Sequence, residues 1–142
     1  MSIRKIELSD LNSIVEMTAQ NFIDSWSFDM LKSSYQSDGF FGLIDEENGD
    51  VLSVCAFGGV LDERELYFVV TKQSARGKGV AKQLLSLALD NLKDSGINKI
   101  FLEVRESNFC AISLYNSLGF VKIAERKNYY GTETAIIMQK EF

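Results

Sequence analysis

The sequence predicts an α/β protein, a mixed sheet with helices packed on its faces, in the order β-α-α-β-β-β-α-β-α-β-β. Three observations predict it. Short apolar runs alternate with stretches whose apolar residues follow helical spacing, and Asn48-Gly49 stands as a tight reversal between two apolar runs. No linker, repeat or low-complexity tract interrupts the 142 residues, 46% of them apolar. The chain is therefore read as one domain spanning residues 1–142, because a second full core would not fit in this length.

Each element has a local reason. Ile3 to Leu8 alternates as a first strand, and Ser9 or Asp10 is a cap for a helix carrying Leu11, Ile14, Val15, Thr18 and Ala19. Ser27 caps a second, short helix with Phe28, Leu31 and Tyr35. Phe40 to Asp45 and Val51 to Gly59 form a β-hairpin across Glu46-Glu-Asn-Gly-Asp50. Leu66 to Val70 is continuously apolar, as a strand buried on both faces would be. A helix starts near Gly79, with a stripe of Val80, Leu84 and Leu87 or Ala88, Leu85 and Leu92 alongside, and ends at Ser95-Gly96. Lys99 to Val104 is the next strand; Asn108 caps a helix with Ile112, Tyr115 and Leu118, closed by Gly119. Phe120 to Ala124 and Ala135 to Met138 are the last strands.

Composition narrows the chemistry. Without histidine the chain cannot build a Ser-His-Asp triad, a Cys-His pair or a HExxH zinc site, so proton transfer falls to carboxylate, tyrosine, lysine, cysteine or water. Cys55 and Cys110 are too few and too far apart for a disulfide framework or a CxxC knuckle, and no metal site is expected. A net charge of −5 disfavours indiscriminate binding to nucleic acid or an anionic membrane. No apolar stretch is long enough to span a bilayer, and Arg4, Lys5 and Glu7 break up a signal-peptide core. The expected location is the cytoplasm.

Within this acidic chain, Leu66 to Leu89 carries Lys72, Arg76, Lys78 and Lys82 and no Asp or Glu. The bland reading is a solvated basic loop. The sharper one is a phosphate cradle, because the island coincides with a glycine-containing turn and a helix start, where unpaired N–H groups and the helix dipole favour an anion. A Walker loop is absent, and Gly77-Lys-Gly79-Val-Ala-Lys82 has lysine where a dinucleotide fingerprint needs its third glycine.

Arg76-Gly-Lys-Gly79-Val-Ala81, directly after an apolar strand, resembles the R/Q-x-x-G-x-G/A signature of the GCN5-related N-acetyltransferase superfamily. Leu102-Glu-Val-Arg105, Ser107-Asn108, Ala111-Ile112, Leu114-Tyr115, Arg126-Lys-Asn-Tyr-Tyr130 and Ala135-Ile-Ile-Met138 resemble blocks of its ribosomal-protein alanine N-acetyltransferase type. The resemblance implies that family's fold and an acetyl-CoA donor, with the pantetheine chain paired to the strand over Val69, Val70 and Thr71. It implies that the pyrophosphate sits on amides of Gly77, Lys78, Gly79, Val80, Ala81 and Lys82 beside Arg76, and that Asn108 contacts the coenzyme. It makes Glu103 the general base and Tyr115 the general acid, with Trp26, Tyr129 and Tyr130 lining the acceptor groove. The implied reaction is direct attack in a ternary complex by the N-terminal amine, alanine by resemblance, of a small-subunit ribosomal protein. Two blocks depart from the family: Ser25-Trp26-Ser27 lacks its proline, and Gly131-Thr-Glu-Thr134 replaces a longer acidic stretch. Both fall where the acceptor is recognised, so another protein terminus, a small amine, or acyl-CoA binding without turnover stay open as alternatives.

These residue types suit the chemistry on physical grounds. Acetyl transfer from a thioester needs a free amine, a polarised carbonyl and a protonated leaving thiolate. A glutamate and a tyrosine can do this without histidine. The plain alternatives are a salt-bridged edge carboxylate for Glu103 and a core tyrosine for Tyr115. Cys110, near a helix start, has a nucleophile reading against the commoner one of a small buried residue.

Overall fold

The computed structural model describes residues 2–21, 26–131 and 133–142, and for Asn21, Tyr129 and Tyr130 the backbone alone. Strand β1 (Ser2–Lys5) leads through a 3-10 turn (Leu8–Asp10) into α1 (Leu11–Asn21), followed by α2 (Phe28–Tyr35). Strands β2 (Phe41–Glu47), β3 (Asp50–Gly58) and β4 (Glu63–Thr71) form a meander. Helix α3 (Val80–Asp94), β5 (Lys99–Arg105), α4 (Phe109–Ser117), β6 (Val121–Tyr130) and β7 (Glu133–Glu141) complete the expected order.

The strands form one seven-stranded sheet in the order β1-β2-β3-β4-β5-β7-β6. Every neighbouring pair is antiparallel except β4 and β5. That parallel pair is short, aligning Glu63 with Lys99, Arg64 with Ile100 and Glu65 with Phe101. Beyond Glu65 the two strands part, while β4 stays paired to β3 as far as Thr71. Among the described residues, one edge of β4 therefore has no strand partner over more than half its length, and the N–H and C=O groups on that edge face the gap.

Two apolar clusters lie on opposite faces of the sheet. Leu84, Leu85, Ala88 and Leu92 of α3 pack with Cys55, Phe57, Leu66, Leu102 and Val104 on one face. Leu11, Ile14 and Leu31 of α1 and α2 pack with Ile44, Val54, Ala56, Phe68 and Val70 on the other. Leu87 is 41% exposed, so the α3 stripe runs through Ala88, the second of the two expected positions.

The hairpin turn is as expected: Asn48 and Gly49 both have positive φ, and Glu47 pairs with Asp50. The expectation that Leu66 to Val70 is buried on both faces needs correction. Leu66, Phe68 and Val70 are buried, whereas Tyr67 and Val69 are half-buried. A register shift opposite Ala56/Phe57 accommodates Tyr67, which packs with the α1/α2 cluster together with Phe68. The first strand also ends early, at Lys5, because Glu7 opens the 3-10 turn, donating its N–H to Asp10 Oδ2 at 2.7 Å. Asp10 thus serves a cap one turn ahead of the expected one.

Candidate active site

A cavity of about 1500 Å³ opens where β4 and β5 part. Its walls come from α1 with Trp26, from β4 over Leu66 to Thr71, from β5 over Leu102 to Arg105, and from α4 with Asn108. Of the residues singled out from sequence, Trp26, Val69, Val70, Thr71, Arg76, Ala81, Glu103, Asn108 and Tyr115 line it. Gly77, Lys78, Gly79 and Lys82 are exposed on the turn and first residues of α3, whereas the Val80 side chain is buried in the protein. Val80 can offer a ligand only its backbone. Tyr129 and Tyr130 lie in β6, but their side chains are outside the described set, as is Ser25.

The turn into α3 is shaped by two left-handed glycines, Gly77 at φ 77° and Gly79 at φ 76°. A Cβ on either would meet no atom of the described residues within 4 Å beyond its chain neighbours, so the demand for glycine comes from backbone conformation rather than crowding. Gly79 is the N-cap of α3 and supplies no side-chain acceptor, leaving the first amides of the helix for other partners. The charges of the basic island are unevenly committed. Lys72 is ion-paired to Asp50 of the β2–β3 hairpin, and Arg76 donates to Thr71 O at 3.1 Å. Lys78 and Lys82 are exposed and have no ion pair among the described residues. The solvated-loop reading thus fits Lys72, while the helix start keeps its positive potential.

Glu103 joins both sequence readings, for it lines the cavity and is salt-bridged, 3.1 Å from Arg126 of β6. One position along the same face, Arg105 reaches Glu133 of β7 at 3.2 Å. These pairs tie the β6–β7 hairpin to the strand that carries Glu103. Tyr115 is likewise both things at once. Its ring is only 7% exposed and packs edge-on against Phe120 at 5.8 Å, yet it also forms part of the cavity wall. Burial pushes its phenol up to about 12, with a smaller contribution from Cys55.

Asn108 caps α4 by accepting from Ala111 N–H at 3.2 Å. Cys110 is exposed and lines the cavity, contrary to the buried-cysteine alternative. Cys55 fits that alternative instead, and burial pushes its thiol to about 12. Sequence reasoning missed Tyr67 of the β4 wall and Glu65 next to that wall. Tyr67 stacks obliquely on Trp26 with centroids 5.1 Å apart, and Glu65 sits at the last paired rung before the strands part. Their neighbourhood depends on contacts between segments distant in sequence.

The family model for the Acetyltransferase (GNAT) family matches residues 11–120. A [ribosomal protein bS18]-alanine N-acetyltransferase from Haemophilus influenzae is 35% identical over 141 residues, covering 96% of this chain and 95% of the relative. The crystal structure of the ribosomal-protein-S18-alanine N-acetyltransferase from Escherichia coli superimposes with a TM-score of 0.91 at 30% identity, covering 99% of this chain and 92% of that one. The NatC complex bound to Gag peptide and CoA shares the fold, with a TM-score of 0.86 at 16% identity over 99% of this chain and 98% of that one. The parted strands, the glycine turn at a helix start and these similarities agree: the chain belongs to the GNAT acetyltransferase family and is an N-acetyltransferase.

Proposed function

We propose that residues 1–142 act as one catalytic domain that transfers acetyl from acetyl-CoA to the N-terminal α-amine, alanine in first position, of ribosomal protein bS18. The observation that carries this reading is 35% identity across nearly the whole chain to an enzyme named for that reaction. The site's geometry supports it. The unpaired edge of β4 offers Val69 to Thr71 as backbone partners for the amide-bearing pantetheine arm, as an added strand would use them. Gly77 to Lys82 present amides and positive charge to the pyrophosphate. Asn108 contacts the coenzyme with the part of its side chain that does not cap α4.

In this reading Glu103 takes the proton from the attacking amine. A C–N bond forms at the thioester carbonyl as the C–S bond breaks, and Tyr115 supplies hydrogen-bond density, then a proton, to the departing sulfur. Trp26, Tyr129 and Tyr130 line the acceptor groove. No metal takes part. The setting is the cytoplasm, with no direct partner among nucleic acids or membranes; among the described residues, no helix is long and apolar enough to cross a membrane.

The choice of amine follows from proton energetics. An α-amine with pKa about 7.7–8.0 is roughly a quarter neutral near pH 7.5, whereas a lysine at ~10.4 costs about 3.4 kcal/mol more to deprotonate. One ion-paired carboxylate suits the easier task. The test is a matched peptide pair carrying an internal lysine, one with a free N-terminal alanine and one with that terminus blocked. Mass detection should find one acetyl on the free terminus. Comparable kcat/KM on the lysine of the blocked peptide would overturn the α-amine assignment, and acetyl-CoA binding without turnover on any amine would overturn the enzyme.

A further inference from the structure

A further carboxylate, Glu65, stands beside the cavity mouth. Glu65 is the last residue of β4 in register with β5, and its partner Phe101 precedes Glu103 by one turn of the strand pleat. Residues aligned across a parallel pair point to the same face, and alternate residues along a strand share one, so Glu65, Phe101 and Glu103 occupy the α1/α2 side of the sheet. Leu66, next in the chain, points the other way into the α3 cluster. Glu65 therefore stands at the rim, beside cavity-lining Tyr67 and within electrostatic reach of Glu103.

Arg126 is paired with Glu103, and Arg105 with Glu133. The Arg64 guanidinium donates to the carbonyls of Leu61 and Glu63, toward the β3–β4 turn. Tyr67 is a neutral phenol held above its ordinary value by burial, then by Glu65. Glu65 makes no ion pair among the described residues. Although solvent reaches its side chain, partial loss of hydration raises its carboxyl above the ordinary carboxylate range; Glu103 adds to this and Arg126 opposes it. Arg126 is bonded to Glu103 alone of the two carboxylates, which leaves Glu65 without an ion-pair partner among the described residues, beside the aromatic wall of Trp26 and Tyr67.

We propose that Glu65 anchors the acceptor, pairing with its incoming α-ammonium and delivering it to Glu103. An acceptor arrives mostly protonated, and its ammonium is the complementary partner for a carboxylate that has no ion pair among the described residues. Glu103 is already engaged by Arg126, so Glu65 provides the attraction and Glu103 the proton acceptance. This inference rests on the proposed acylation of a protein N-terminus. It adds a residue to which that reading assigns no role.

The experiment compares wild type, Glu65→Gln, Glu65→Asp and Glu103→Gln on a free-terminus alanine peptide, with acetyl-CoA affinity measured separately. Glu65→Gln should raise the peptide KM by about tenfold or more, the worth of a charge-assisted hydrogen bond, with kcat within about threefold of wild type. Its acetyl-CoA Kd should be unchanged, and Glu65→Asp should recover part of the loss. The wild-type advantage should shrink as salt rises. Glu103→Gln should lower kcat instead. An unchanged peptide KM in Glu65→Gln overturns the anchor, as does a fall in kcat with a displaced acid limb, which would make Glu65 the proton acceptor. A parallel loss of acetyl-CoA affinity would reduce its role to structure. A wild-type chain inactive on every free-amine peptide would overturn the proposed function as well, whereas an active wild type matched by Glu65→Gln overturns this inference alone.

Discussion

Tyr115 offers the sharpest test of how the leaving group is stabilised. Its phenol stands at about 12, because the ring is buried against Phe120 and the α3-side core. An ordinary thiol lies near 8.5. Complete proton transfer from this phenol to such a thiolate is uphill by about 3.5 units, or about 4.8 kcal/mol at ~1.36 kcal/mol per unit. Tyr115 is thus better suited to donating a short hydrogen bond to the sulfur as charge develops than to surrendering its proton early. A hydrogen bond to a charged group contributes about 1.5–3 kcal/mol. Tyr115→Phe should then lower kcat by roughly 10- to 150-fold, below the upper range for full general-acid catalysis, which reaches about 10⁴-fold.

The assay is thiol release under saturating acetyl-CoA across pH, beside acetyl-CoA affinity by titration. Because the substitution removes one oxygen and keeps the ring, affinity and Tm should change little. The wild-type kcat should show no alkaline limb near 10, the ordinary tyrosine value, since burial moves that titration higher. A near-wild-type kcat in Tyr115→Phe would refute the reasoning. So would a loss beyond about 10³-fold with a wild-type limb near pH 10, which would mark a phenol that ionises far more readily than its burial allows.

Two further outcomes follow from the fold. Gly79→Asp should weaken coenzyme A binding by about tenfold or more, since it places a side chain and a negative charge on a left-handed residue at the α3 N-terminus; unchanged affinity by thermal-shift titration would remove that turn from the site. Asp45→Asn should stabilise the protein by about 1–3 kcal/mol in denaturant titration, because both Asp45 carboxyl oxygens are buried without a hydrogen-bond partner among the described residues. Burial, with Glu47 adding to it, raises the folded-state value of Asp45, so the folded form binds the proton more tightly than the unfolded one. Wild-type stability relative to the variant should therefore rise as pH falls from neutral toward the ordinary carboxylate range, and a constant difference across pH would contradict this.

What could be read from the sequence was what local chemistry controls. The Asn48-Gly49 turn, the α3 stripe ending at Gly96 and the Asn108 cap each depend on residues a few positions apart, and each is in place. The β4 run misled because an apolar strand facing a ligand cavity has the same composition as one buried on both sides. Val69 is a cavity wall, and a bulge gives Tyr67 its orientation. The neutralisation of Lys72 by Asp50, the clamp of Arg126 on Glu103 and the company of Glu65 all join segments far apart in the chain. The resemblance supplied Glu103 and Tyr115 as a pair; spacing alone gave no reason to bring them to one cavity.

The residues assigned to chemistry also hold the fold together. Asn108 caps a helix, Glu103 anchors the hairpin through Arg126, and Tyr115 fills core volume against Phe120. This economy has a physical origin in the parting of β4 and β5. Once those strands separate, backbone pairing no longer holds the β5 margin of the gap on that side, and ion pairs to β6 and β7 brace it from the other. Bracing residues necessarily face the gap, and groups that face it are the ones a ligand meets. An ion-paired glutamate and a buried tyrosine are therefore expected at such a margin on structural grounds, before any catalytic demand. Catalysis needs only that their remaining valences, a carboxylate oxygen and a phenolic proton, stay directed into the cavity. It follows that loss of activity on truncating Glu103 or Tyr115 to alanine would report bracing and chemistry together. Only substitutions that preserve shape while removing a proton site can separate the two.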